Sequence, residues 1–208
     1  MSRDGRWLLA LPVNGAVVML HPTGAGQSRT LPNPKKLLVD TAAWLPDSRR
    51  IVMFGQPHGQ PSRGYVQDVE GGPPKPFTAG TGVRSARWWT LPVSPDGTRV
   101  VAVGHDGRSA IFQVSDGSST PVPGLTDDEF VVQWLRDGDL LVTRARGFPW
   151  VLGRLDLPTG RRSPGLEIRP ADRAGLRLRV VAVSADGRHY VHSYSRLLSD
   201  LFLVEGLR

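Results

Sequence analysis

The histidines and acidic residues are the first candidates for chemistry, and their spacing does not favour a metal site. His189 and His192 are three residues apart in a predicted strand, so their side chains point to opposite faces and do not share a metal ion. The other histidines stand far apart, at His21, His58 and His105. The one acidic run, residues 127–129, falls in a connection between predicted strands. We expect this run to be solvated, with a bound cation as the alternative, and we predict no metal and no cofactor.

Motifs for covalent catalysis are not found in the sequence. There is no G-x-S-x-G nucleophile motif, no G-x-x-x-x-G-K-[ST] phosphate loop and no cysteine. A pair of catalytic carboxylates must converge to within about 5–10 Å, whereas the aspartates are spread regularly along the chain. We therefore do not predict an enzyme, and a hydrolase or lyase site built from loops is the alternative.

Tryptophan and arginine side chains that are close in sequence form the best candidate binding surface. These residue types are enriched at binding hot spots. The stretch VRSARWW contributes Arg84, Arg87, Trp88 and Trp89. The two tryptophans are adjacent, so on a strand one points inward and the other outward. A second candidate is Phe148 with Trp150, in RGFPW. The alternative is that these side chains only cover the edge of a sheet.

The charge of the chain is strongly basic, with a formal net charge of +7, and three of its 26 basic residues are lysines. An arginine-rich surface attracts polyanions, so a polyanion or nucleic-acid binder is a second alternative. A GC-rich coding bias explains the same composition, and we do not expect a nucleic-acid partner. No apolar run approaches the ~18–20 residues that span a membrane. The cytoplasm is the default compartment, and an upstream anchor would place the chain outside it.

A recurring turn reveals the elements that would have to position any site. A motif of the form Ser-Pro-Asp-Gly, or a close variant, recurs at spacings of 43, 49, 41 and 49 residues. Glycine accepts positive φ at such turns, and aspartate can bond nearby backbone amides; Ser48 replaces the glycine in the second copy. The turn residues are Asp4, Gly5, Asp47, Asp96, Gly97, Asp137, Gly138, Asp186 and Gly187.

Strands are predicted on both sides of each turn, in a repeat of four. Apolar residues three and five positions before the aspartates follow the period of two that a half-buried strand shows. A second glycine marker recurs at 24, 72, 117, 160 and 206, in the same phase. A period of about 40–50 residues with four short strands, A to D, is typical of a β-propeller.

The predicted fold is therefore all-β, a propeller array of about five units over residues 1–208. The units are approximately 1–40, 41–85, 86–129, 130–175 and 176–208. The three middle units are predicted to be complete four-stranded blades. The first unit starts at strand B and the last stops at strand C. We expect either the C-terminal part of a propeller with six or more blades or a self-closed five-bladed ring.

The Ser-Pro-Asp-Gly turns followed by apolar strands resemble the repeats of TolB-like, or WD-repeat-like, bacterial propellers. The ending YVHSYSRLLSDLFLVEGLR, residues 190–208, is similar to the C-termini of propeller regions that follow eukaryote-like serine/threonine kinase domains or winged-helix regulators. No kinase motif is present in this chain, so kinase activity would have to reside in a parent protein.

These observations favour a non-catalytic protein- or peptide-binding or sensor module of a bacterial multidomain signalling protein. The resemblance implies a repeat scaffold that binds a partner on one face. Open blade edges would also allow self-association.

Overall fold

The β-strands of the computed structural model form five antiparallel sheets in chain order. The structure describes residues 1–12, 15–79, 91–144, 150–169, 172, 174–184 and 189–197, and within them it contains sixteen strands and no helix. Each sheet is built from consecutive strands, because the short turns between them favour antiparallel neighbours. We refer to the five sheets as blades 1 to 5.

The strand bounds define each blade. Blade 1 contains β1 (Trp7–Ala10), β2 (Met19–Pro22) and β3 (Arg29–Thr30). Blade 2 contains β4 (Leu38–Trp44), β5 (Arg50–Gln56), β6 (Arg63–Asp68) and β7 (Lys75–Pro76). Blade 3 contains β8 (Arg99–Val103), β9 (Ser109–Gln113) and β10 (Ser119–Pro121). Blade 4 contains β11 (Glu129–Trp134), β12 (Leu140–Arg144), β13 (Trp150–Leu155) and β14 (Arg162–Ile168). Blade 5 contains β15 (Leu176–Val183) and β16 (Tyr190–Arg196).

Blades 2 and 4 have the complete order A-B-C-D, and the other blades have parts of it. Blade 1 supplies B, C and D, and the described part of blade 5 supplies A and B. In blade 3 the described part of strand A is a single bridge between Val93 and Val100. The all-β fold class is confirmed, and within the described residues blade 3 has three full strands where four were expected.

Apolar clusters join each blade to the next one along the chain. Tyr65 and Ile51 of blade 2 pack with Leu20 of blade 1. Phe54 of blade 2 belongs to the next cluster, with Phe112 of blade 3. Two further clusters link blade 3 to blade 4 and blade 4 to Val183 of blade 5. Strands β5, β8 and β12, which follow the turns, therefore bury both of their faces, and this explains their near-continuous apolar runs.

The turns between strands A and B use the aspartate side chain as an acceptor. In blade 3, Asp96 Oδ1 accepts the Thr98 amide at 3.0 Å, and the Gly97 amide donates to the Ser94 carbonyl at 2.9 Å. The Ser94 hydroxyl and the Thr98 amide lower the pKa of Asp96 because they stabilise its carboxylate. Asp4, Asp47 and Asp137 accept amide hydrogens in the same way.

The glycine positions of these turns have positive φ, at 74° for Gly5, 74° for Gly97 and 97° for Gly138. Ser48 adopts a φ of 56° at the corresponding position of the second turn. The last copy of the motif, with Asp186 and Gly187, lies outside the described residues. Among the residues that the structure describes, no helix is long and apolar enough to cross a membrane.

Candidate functional site

The strand order brings two kinds of connection to one end of the blades. In an antiparallel sheet the starts of strands A and C lie beside the ends of strands B and D. The B–C and D–A connections therefore share this end, which we call the loop end. Its described connections are residues 31–37, 57–62, 104–108 and 122–128. The aspartate turns lie at the opposite end, so the repeated turn motif places no constraint on the sequence of the connections at the loop end.

Most of the predicted aromatic–arginine surface lies outside the described residues. This applies to Arg84, Arg87, Trp88, Trp89 and Phe148. Described residues bound both segments at the loop end: Ala79 follows strand D of blade 2, and Arg144 ends strand B of blade 4.

Trp150, from the second candidate surface, is half-buried. It pairs with Ile168 at the start of β13 and packs against the cluster that joins blades 4 and 5. Its position in RGFPW gave no sign of this, because the cluster contains residues from other strands of blade 4, such as Phe130 and Ile168. A contact through the exposed remainder of the ring stays a prediction.

Two tryptophans that stand three residues before their turn aspartates, Trp44 and Trp134, pack between blades. Trp134 is 5% exposed and belongs to the cluster between blades 3 and 4, where its indole donates to the Gly138 carbonyl at 3.0 Å. The guanidinium of Arg99 lies 4.9 Å from the centre of that ring. Trp44 packs against the cluster between blades 1 and 2.

A wide cleft of about 750 Å³ lies beside blade 3. Its lining includes the 104–108 connection, strand β10 and the start of the 122–128 connection. Thr78 and Ala79 also line it, and they lead directly into residues 80–90. The volume lies within the range of about 300–1,000 Å³ that is typical of ligand sites.

The acidic run at the edge of this cleft is paired with arginines. Asp127 lies 3.5 Å from Arg108, and both side chains are exposed. Asp128 lies 3.4 Å from Arg144, at similar exposure. Exposed pairs of this kind contribute about 0–1 kcal/mol, so they hold the connection only weakly. The expectation of a solvated run agrees with these two side chains.

Glu129 differs from its two neighbours because its side chain is buried. It forms an ion pair with Arg162 of strand D, which also donates to the Gly124 carbonyl. Burial alone would raise the pKa of Glu129, but the hydrogen bonds from Arg162 and Thr126 outweigh it and lower the pKa to about 2. The expectation that the whole run is solvated is therefore wrong for Glu129. The two partners are 33 residues apart, and no local pattern links them.

Metal binding finds no support in the parts of the chain that the structure describes. They contain no group of three or more His, Asp or Glu side chains that could hold an ion. His192 instead lies between two tyrosine rings of β16, with ring centres 5.9 Å from Tyr190 and 6.1 Å from Tyr194.

A second cleft at the loop end, of about 380 Å³, was not anticipated from the sequence. It lies beside blade 2 and contains basic and proline side chains from three separate segments. The only local signal was the Lys35–Lys36 pair in a loop.

Comparison with known proteins identifies the fold. No family model matches the sequence, and no curated protein matches it. Among solved structures, a putative TolB from Agrobacterium tumefaciens superposes with a TM-score of 0.68 at 14% identity, over 94% of this chain and 68% of that one. TolB from Acinetobacter baumannii superposes with a TM-score of 0.60 at 20% identity, over 91% of this chain and 49% of that one. Hydrazine synthase from Kuenenia stuttgartiensis superposes with a TM-score of 0.62 at 15% identity, over 99% of this chain and 57% of that one.

The chain thus has a TolB-like β-propeller fold, as its turn repeats predicted. It spans between about half and two thirds of the three solved chains. At sequence identities of 14–20%, the similarity establishes the fold and not the function. One of the three proteins, hydrazine synthase, is an enzyme by its name.

Proposed function

We propose that the chain is a non-catalytic module that binds a protein or peptide at its loop end. The wide cleft beside blade 3 carries this proposal. Its wall at Thr78 and Ala79 continues directly into the segment that contains Arg84, Arg87, Trp88 and Trp89. This segment is rich in tryptophan and arginine, the residue types that are enriched at binding hot spots.

A peptide-library selection on the immobilised chain tests this proposal. Enriched peptides should show saturable binding to the chain in solution. The Trp88→Ala/Trp89→Ala double variant should bind them with an affinity about tenfold or more lower. Tyr190→Ala is the matched control, since Tyr190 is an exposed aromatic at the start of a B strand, away from the loop end. Its affinity should equal that of the wild type.

Three results would contradict the proposal. The first is a selection that enriches no peptide, and the second is equal binding by the double variant. The third is binding that ignores peptide sequence and falls steeply with log salt, which would favour the polyanion alternative. Substrate turnover by the isolated chain would favour the alternative of a loop-built hydrolase or lyase site.

We also propose that these blades belong to a larger propeller in a multidomain signalling protein, with any kinase activity in a separate domain. Its support is the outer face of blade 5, where Ala182 and its cross-strand partner Val191 are both exposed. Val191 is 67% exposed, and an exposed apolar sheet face favours packing against another blade.

Light scattering combined with size exclusion tests this second proposal on residues 1–208. Self-association that Val191→Asp reduces is the expected result. A compact monomer that binds no apolar dye would contradict it and would favour a closed five-bladed ring.

A further inference from the structure

The second cleft, beside blade 2, has a basic lining. Its volume is about 380 Å³, and it lies where the 31–37 and 57–62 connections meet the outer strands of the blade. Its lining residues are Lys35, Pro57, His58, Gln60, Arg63, Tyr65 and Pro76. Two fixed cations, an imidazole, an amide and a phenol thus surround one small volume, and this lining contains no carboxylate.

The two cations of the cleft take part in no ion pair in the described parts of the chain. Ten ion pairs occur there, and none of them includes Lys35 or Arg63. The Nε atom of Arg63 is also buried and finds no hydrogen-bond partner among the described residues. A buried donor without a partner costs free energy, and Arg63 itself lines the cleft.

The backbone that carries Lys35 is held in place by Asn33. The Asn33 side chain accepts the Leu37 amide at 2.9 Å and donates to the carbonyls of Leu37 and Ala16, at 3.0 and 3.1 Å. The next residue, Lys36, adopts a φ of 48°, a conformation that non-glycine residues keep only where the surroundings enforce it. The ammonium of Lys35 therefore projects from a rigid turn.

The opposite side of the cleft is equally well supported. Arg63 opens β6 and pairs with Gly55 of β5, and the amide of the next residue, Gly64, donates to the Thr78 hydroxyl at 2.8 Å. Tyr65 follows on the same strand with its side chain 2% exposed. Burial raises the pKa of Tyr65, although the charge of Arg63 acts in the opposite direction, so the phenol stays protonated and can donate.

We propose that this cleft binds a small oxyanion, a carboxylate or phosphate group, between Arg63 and Lys35. The guanidinium offers a planar pair of donors that matches both groups, and the ammonium adds a point charge. The amide of Gln60 supplies a neutral donor. The site does not depend on the protein-binding role proposed above.

Titration of the folded chain with inorganic phosphate and with succinate, in separate arms, tests this site. Binding is measured by calorimetry and by amide shifts of residues 33–37 and 55–65. The expected result is saturable binding in at least one arm, and the preferred anion identifies the chemical source. Arg63→Gln and Lys35→Gln should each weaken it about tenfold or more. Arg63→Lys should restore only part of the loss, because it keeps the charge and removes the planar donor pair.

Arg136→Gln provides the matched control, since it removes the same charge from an exposed turn in blade 4. Its affinity should equal that of the wild type, and the melting temperature of every variant establishes that it is folded. Absence of saturable binding in both arms would overturn the proposal. An equal loss in Arg63→Gln and Arg136→Gln would overturn it as well, because binding would then follow net charge and not the cleft.

Discussion

Gly97 and Gly5 form a matched pair that separates backbone strain from steric contact. Both have a φ of 74° in equivalent turns that precede strand B of their blades. A Cβ atom at Gly97 would lie 2.7 Å from Cδ of Pro46 in the neighbouring turn, whereas at Gly5 nothing lies within 4 Å. Replacing either glycine with alanine therefore imposes the same backbone cost. Only Gly97→Ala adds a steric contact, with the ring of Pro46.

The magnitudes of the two substitutions follow from these contacts. Alanine in the left-handed region costs about 1–2 kcal/mol, and the reduced entropy of the unfolded chain offsets about 0.4–1 kcal/mol of this. Gly5→Ala should therefore destabilise the fold by about 0–1.5 kcal/mol. Gly97→Ala should lose about 1–3 kcal/mol more, because the proline ring is rigid and must be displaced.

Urea unfolding followed by tryptophan fluorescence measures both changes. Pro46→Ala in the Gly97→Ala background should recover most of the additional loss, and Pro46→Ala alone provides the reference for this double-mutant cycle. Equal destabilisation by Gly5→Ala and Gly97→Ala would refute the steric argument. A double variant that recovers nothing would also refute it.

Two further substitutions test the ion pair in blade 4 and the core between blades 2 and 3. The pKa of Glu129 is lowered to about 2 from 4.5, so its pair with the partly exposed Arg162 should contribute about 2–3 kcal/mol above pH ~4.5, and this is lost as the pH falls toward ~2. Urea midpoints of Glu129→Gln should lack this part of the pH dependence, and an unchanged profile would contradict the assignment. Phe54 is fully buried and meets Phe77 and Phe112 edge to face, at 6.0 and 6.4 Å. Phe54→Ala should cost about 3–5 kcal/mol and Phe54→Leu clearly less; equal losses in thermal melts would argue against tight packing there.

The candidate sites could be predicted only in part, because their residues come from several blades. Asp127 and Asp128 lie in a connection, as predicted, but Glu129 begins β11, and its side chain is paired with an arginine 33 residues away. Trp150 was predicted as part of a binding surface, and the structure packs it against the cluster between blades 4 and 5. Side-chain exposure at the loop end is decided by neighbours that are distant in sequence.

The sequence by itself determined the order of the strands and the all-β class, since turn chemistry is local. Asp96 bonds the amide two residues later, and Gly97 closes the same turn, so each signal is contained within a few positions. Only the tertiary structure decided which charges meet. Arg63 and Lys35 face one cleft, and Glu129 meets Arg162, because stacking of strands and connections sets distances that no sequence spacing encodes.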